Sequence, residues 1–519
     1  MAKFIVSTKL SGRLSSRSEP RDFGDMQASL AALANGFSLT PKSSAATSPG
    51  RRATFVLEGD RSEAAALKSQ MPSDMLMEEA IEYSKLDQPS VPFDLLKAGP
   101  LDLLRLMRRD AMEDGFAGQG QVIDIVVEGR TRSIVPLFDA EVHVFLAGPG
   151  NMREALRGRA DLEGRVSFAI APFWTILAIL VAPYTDFWPK VVRGGSTQKV
   201  NRIVCERLPH RGPGGWWHEA QGVTPELELG RRADGGAIRV GVIDSGCGPH
   251  PALEHVQDEG AFIDGEYDRY GGRDSGTHGT HVCGTIGARG AGSPYLGVAP
   301  GVDLFSARVF PPESGANQGD IADAIDHMVS VRSVDLINMS LGSSEPSLIF
   351  KDAIDAAFEA GTLCICAAGN DAGPVSYPAR YDKAVAVAAA GMSGVSPLDA
   401  LPALPADERL FGERQLYAAD FTNFGPEIDC IGPGVGVIAP VPARFGREAP
   451  YVSMNGTSMA SPSICAALAV ALAHDASYSA MRPSANRARY ARMLLSACCD
   501  PAALPEDYQG SGMPNVTRV

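Results

Sequence analysis

The sequence predicts an α/β protein: a large main domain on a mainly parallel sheet flanked by helices, preceded by a small α+β (split βαβ) domain and a β-sandwich-like domain. Three observations predict it. From about Ile238, apolar runs such as IRVGVID, DLINMS and TLCICAAG alternate with helical stretches, the pattern of a sheet buried on both faces. Residues 119–207 hold QVIDIVVEG, AEVHVFLAG, GRVSFAIA and TILAILVAPY, short strands separated by Gly or Pro at sandwich-like spacing. Residues 1–90 carry strand and helix patterns in the order β-α-β-β-α-β.

Taken in order, residues 2–9 alternate as a strand. Residues 24–36 place Met26, Leu30 and Leu33 on one helical face, with Gly36 as the stop. A short strand is expected at 37–39 and another over 52–58. Asp60, with Glu63 three residues on, caps a helix over 62–70. Residues 77–84 alternate again, as one closing strand. Residues 91–118 read as a helical linker broken at Gly99-Pro100, 119–207 as the sandwich, 208–237 as a Pro/Gly-rich connector, and 238–519 as the α/β domain.

The 519 residues carry a formal net charge of -14, which disfavours nucleic acid and anionic membrane as partners. The N-terminus lacks the apolar core of a secretory signal. The apolar run at 174–182, WTILAILVA, is too short to span a bilayer and reads as a buried strand. The nine cysteines are odd in number and form no CxxC pair. Free thiols in a reducing cytoplasm are therefore expected, and no zinc framework.

Four residues of the α/β domain carry candidate chemistry. Asp244 ends an apolar strand, where ligands of open α/β sheets gather, and a buried carboxylate there needs a partner. His278 opens a small-residue helix; His281 lies nearly a turn deeper, so His278 is the better base. Ser458 begins a helix that is apolar nearly all round, with Pro462 in its first turn. A helix N-terminus offers N–H groups and a positive dipole end to an oxyanion. Asn370 follows Ala367-Ala368-Gly369 at a strand end and supplies a second donor. The order Asp…His…Ser is one of the known chain orders for this triad.

VIDSG, HGTHVCGT, INMSLGS, AAGN and NGTSMASP, with the closing QGSGMPNV, resemble the subtilisin-like serine peptidases (subtilases) over residues 238–519. The resemblance implies Ser458 as nucleophile, His278 as general base and then acid, Asp244 as its orienting carboxylate, and Asn370 with the Ser458 N–H as oxyanion donors. It implies protein or peptide substrates added as a strand between Ser340-Leu341-Gly342 and Ser314-Gly315-Ala316. Ser376 would lie at the base of the main specificity pocket, which suits apolar or medium side chains. Residues 1–90 resemble an inhibitor-type propeptide, so the chain's own N-terminal domain is an expected partner and the protein an expected zymogen. Processing would fall near 85–89 or within 208–237. Residues 119–207 read as a spacer or partner-binding module, and 393–420 as a surface-loop insertion. Many subtilases hold a tight calcium ion; here Ala252 and Ala291 stand at its side-chain ligand positions and Pro294 stiffens the loop, so no metal or other cofactor is expected. The competing reading is a peptidase-fold binding or scaffold protein held inactive by its N-terminal domains.

Overall fold

A computed structural model describes residues 2–10, 40–44, 52, 54–86, 121–209, 212 and 214–518, the last range without 291–292, 313, 398–399, 401–406 and 445–447. The expected helices over 24–36 and 91–118 and the strand at 37–39 lie outside these residues, as does Ala291.

The α/β domain is built on a nine-stranded sheet. Its centre runs Asp303–Arg308, Arg239–Asp244, Leu336–Met339, Leu363–Ala367 and Ala384–Met392, all parallel neighbours. These strands are nearly continuous in apolar residues because helices cover both faces. The helix Thr457–His474 is the only one among the described residues long and apolar enough to cross a membrane. It lies buried against the sheet, which accounts for its apolar surface. The insertion at 393–420 is more than a surface loop: Leu416–Ala418 adds an antiparallel strand beside Ala384–Met392, and Leu416 and Tyr417 are buried. Polar flanks hide this short edge strand in the sequence.

The first domain is a four-stranded antiparallel sheet in the order Thr40–Ser44, Thr54–Gly59, Ala2–Thr8, Met75–Glu79, with the helix Arg61–Gln70. Asp60 caps that helix by accepting from Ser62 N. The single strand expected over 77–84 is in fact two. Met75–Glu79 stays in the sheet, whereas Glu82–Lys85 leaves it and pairs with the α/β domain. Alternation persists through the break at Ala80-Ile81, so periodicity cannot mark it.

Residues 121–206 form two four-stranded sheets over a core that includes Ile125, Val142, Val144, Ile179 and Ile203. The run at 174–182 contributes the strand Thr175–Ala182. This module is not a free spacer. Its Trp188 belongs to the α/β core, Tyr184 Oη donates to the Pro442 carbonyl (2.6 Å), and Asp186 N donates to the Tyr451 carbonyl (2.8 Å). The segment 208–237 is likewise no loose connector. Trp216 and Trp217 open a short helix, Trp216–Glu219, and are buried in the same core.

Candidate active site

The structure pairs Asp244 with His278, and Asn370 with Thr457 beside Ser458. Asp244 is the last residue of its strand, His278 the first of its helix and Ser458 the second of Thr457–His474. Asp244 is wholly buried. Its Oδ1 accepts from Ser245 N (2.7 Å) and lies 2.7 Å from His278 Nδ1. A carboxylate only accepts, so Nδ1 carries the proton and Nε2 is left as the basic nitrogen. The two turns that deliver these residues touch backbone to backbone: a Cβ on Gly279 would lie 2.2 Å from the Gly246 carbonyl. Asp274 ties them together. It accepts from Ser245 Oγ (2.9 Å) and Thr280 N (2.9 Å), while Ser245 Oγ accepts from Gly279 N (2.9 Å). Burial raises the Asp274 carboxyl above the ordinary range despite these donors.

His281 packs instead of facing the cleft. Its Nε2 lies 3.2 Å from the Val437 carbonyl and 3.3 Å from that of Val452. Burial, then the nearby His278, pushes its pKa down to about 3, which keeps it neutral.

The turn into the serine helix requires glycine: Gly456 has φ +145° and hydrogen-bonds Gly434 across the entry. Ser458 Oγ donates to the Ser340 carbonyl (3.2 Å), and Ser340 Oγ donates to the Ser458 carbonyl (2.9 Å). The Asn370 amide is held one way round. Its Oδ1 accepts from Thr457 N (2.9 Å) and Thr457 Oγ1 (2.9 Å), which turns Nδ2 into the cleft.

The chain's own residues 82–86 occupy that cleft. Tyr83 pairs with Ala316 and Glu82 with Asn317 on one side; Ser84 pairs with Gly342 and Lys85 with Leu341 on the other. Leu86 N donates to the Ser340 carbonyl (3.4 Å), and the Leu86 carbonyl accepts from Asn370 Nδ2 (2.5 Å). The Leu86 side chain lies against Gly342 and Ser376: a Cβ on Gly342 would meet Leu86 Cδ1 at 2.9 Å and Ser376 Cβ at 3.3 Å. Ser340, Leu341, Gly342 and Ser376 thus line the occupied cleft. The opposite strand is Ala316–Asn317, so of the expected Ser314-Gly315-Ala316 only Ala316 pairs with the segment. Gly315 reaches the segment through its N–H, which donates to the Glu82 carboxylate (2.8 Å), and Ser314 falls outside the pairing because the register starts at Ala316.

The first domain rests on two helices, Gln318–Ser330 and Leu348–Ala360. Arg52 is fully buried between Asp326 (Nε–Oδ2 2.8 Å) and Asp352 (Nη1–Oδ2 3.1 Å). Thr54 Oγ1 donates to Asp323 (2.7 Å), and burial raises the Asp323 pKa to about 8. Glu78 caps the second helix, accepting from Ser347 Oγ (2.6 Å) and Leu348 N (2.6 Å). Gln318 accepts from Ile81 N (2.8 Å) and donates to the Glu79 carbonyl (2.8 Å), at the point where the chain turns into the cleft. Sequence reasoning missed Arg52, Glu78 and Gln318, whose partners lie more than 200 residues away.

The position that would need a calcium carboxylate carries the buried methyl of Ala252. Its carbonyl accepts from Arg289 N (2.9 Å), and the Arg289 guanidinium donates to the Pro300 carbonyl (3.5 Å).

The fold and the cleft define a class, the serine endopeptidases built on a mainly parallel sheet. The Subtilase family (Peptidase S8) matches residues 235–503, and the chain belongs to that family. It is 32% identical over 250 residues to Subtilisin Savinase of Lederbergia lenta, a match covering 48% of this chain and 81% of that protein. Similar matches are the Alkaline protease of Alkalihalobacillus alcalophilus (32%, 48% of this chain and 57% of the relative) and the Thermostable alkaline protease of Halalkalibacterium halodurans (34%, 47% and 59%). Residues before 235 lie outside the family match.

Proposed function

We propose that the chain is the zymogen of an endopeptidase that works through Asp244, His278 and Ser458, and that residues 1–86 inhibit it until it cuts itself after Leu86. The observation that carries this reading is the seating of the Leu86 carbonyl on Asn370 Nδ2 at the mouth of the serine helix. Ser458 Oγ turns from the Ser340 carbonyl and gives its proton to His278 Nε2. It attacks the Leu86 carbonyl carbon, and the oxygen takes up negative charge between Asn370 Nδ2 and the Ser458 N–H. Asp244 stabilises the imidazolium. His278 then protonates the departing Asp87 nitrogen, and water, deprotonated by the same imidazole, releases the Leu86 carboxylate from Ser458. Other extended peptides enter by the same two-sided strand addition once the segment leaves. A scaffold held permanently shut would leave Ser458 unreactive. A fluorophosphonate probe should therefore label the processed wild-type protein and not Ser458→Ala; equal labelling of both, or of neither, would reject the mechanism.

A further inference from the structure

The cleft makes a contact that an apolar pocket for Leu86 does not account for. Lys85 Nζ lies 5.3 Å from the centroid of the Phe310 ring, over its face. Phe310 is wholly covered in the docked state, so the ring meets the lysine and not water. On the other side stands the loop before His278, where a Cβ on Gly276 would lie 3.8 Å from the ammonium. The absence of a side chain at 276 leaves that space to the lysine head. A ring face attracts a cation through its quadrupole, more strongly as the pair loses water. The same face repels a carboxylate. An uncharged chain of equal length fills the space without the electrostatic gain.

We infer that Phe310 and the open Gly276 corner form a subsite that selects a basic side chain, lysine first, at the second residue before the cut, so that the preferred substrates are extended, exposed protein segments with Lys-Leu ahead of the scissile bond. This inference rests on the reading that the enzyme cuts after Leu86. It assigns Phe310 as a specificity-determining residue that acts on the substrate side chain and takes no part in bond breaking.

The test uses self-processed full-length protein and quenched peptides of the form Tyr-Ser-Xaa-Leu-Asp-Gln-Pro, with Xaa as lysine, norleucine or glutamate. In the wild type, kcat/KM for lysine should exceed that for norleucine by about 3- to 10-fold, the range one partly desolvated cation–ring contact supports, with glutamate lowest. In Phe310→Leu the lysine-to-norleucine ratio should fall toward one. Should that variant fail to fold, Lys85→Met and Lys85→Glu in the otherwise wild-type chain carry the test: self-cleavage should slow in that order. Cleavage at equal rates for all three peptides, or a ratio unchanged in Phe310→Leu, overturns this inference alone. No cleavage of any peptide, together with no fluorophosphonate labelling, overturns the peptidase mechanism beneath it as well.

Discussion

Two regions precede the peptidase domain, and they are held to it by different mixtures of contact. The first domain adds buried polar groups to a small apolar patch of Ile5, Val56 and Tyr83: the buried Arg52 with Asp326 and Asp352, the Glu78 cap, and backbone pairing of residues 82–86. The sandwich and the segment after it are held mainly by apolar burial, with Trp188, Leu208, Trp216 and Trp217 in the peptidase core. Charged and backbone groups regain water when they separate, so the first contact can come apart. An exposed tryptophan face has no such compensation. On the proposed reading, one region leaves after cleavage and the other stays. The sandwich also braces the hairpin Val437–Pro440 with Tyr451–Met454, which leads directly into the serine helix, through Tyr184, Asp186 and an Arg444–Asp139 ion pair (3.1 Å). A mature enzyme made by cutting after Leu86 would keep this brace.

Four perturbations sharpen the contrast. The largest effect belongs to Ser458→Ala, which should lower peptide turnover by about a millionfold and leave both regions covalently attached. Asn370→Ala removes the donor that holds the Leu86 carbonyl and should lower kcat by about 100- to 1000-fold with the fold unchanged by circular dichroism. Arg52→Ala strands two buried carboxylates at a cost of about 3–5 kcal/mol in docking, read as early loss of the first domain on gel filtration of the cleaved complex. Trp188→Ala should cost a similar about 3–5 kcal/mol, but as a lower Tm of the peptidase domain and with no change in the release of residues 1–86. If each variant gave the other's phenotype, the contrast would fail.

The smallest effects concern pH and calcium. Burial holds the Asp323 pKa up at about 8 in the docked state, whereas a solvated aspartate titrates at about 3.9. A raised carboxyl pKa means that docking takes up a proton. Its contribution is therefore most favourable below the free value and weakens as pH rises through the docked one, between about 4 and 8. The cleaved complex should dissociate more readily at pH 8 than at pH 6, by up to about tenfold per unit, and Asp323→Asn should flatten the slope. Calcium in the millimolar range should leave Tm unchanged relative to excess chelator. A tight site at 100 times its Kd would instead add about 2.7 kcal/mol of stability, plainly visible in melting.

The catalytic constellation was legible because each member sits in a short stretch whose local chemistry is distinctive: Asp244 at an apolar strand end, His278 and Ser458 at helix starts, Asn370 after a glycine turn. The contacts that hold the cleft shut were not legible, for a different reason. Arg52 is one arginine at the start of a strand, and only the fold brings it to Asp326 and Asp352. The exit of Glu82–Lys85 from its sheet is invisible because the alternating pattern of 77–84 serves either partner equally. The segment 208–237 misled by composition. Its Pro and Gly suggested a connector, while the adjacent Trp216 and Trp217, large apolar faces that need cover, carried the signal that it is packed down.

The most direct test of the account is the fate of the purified full-length chain, followed by intact mass and N-terminal sequencing beside Ser458→Ala. The account predicts that the wild type splits once after Leu86, that the larger fragment begins at Asp87 and retains the sandwich, and that Ser458→Ala stays whole. A wild-type chain that is active while intact, or one whose first cut falls within 208–237, would contradict it.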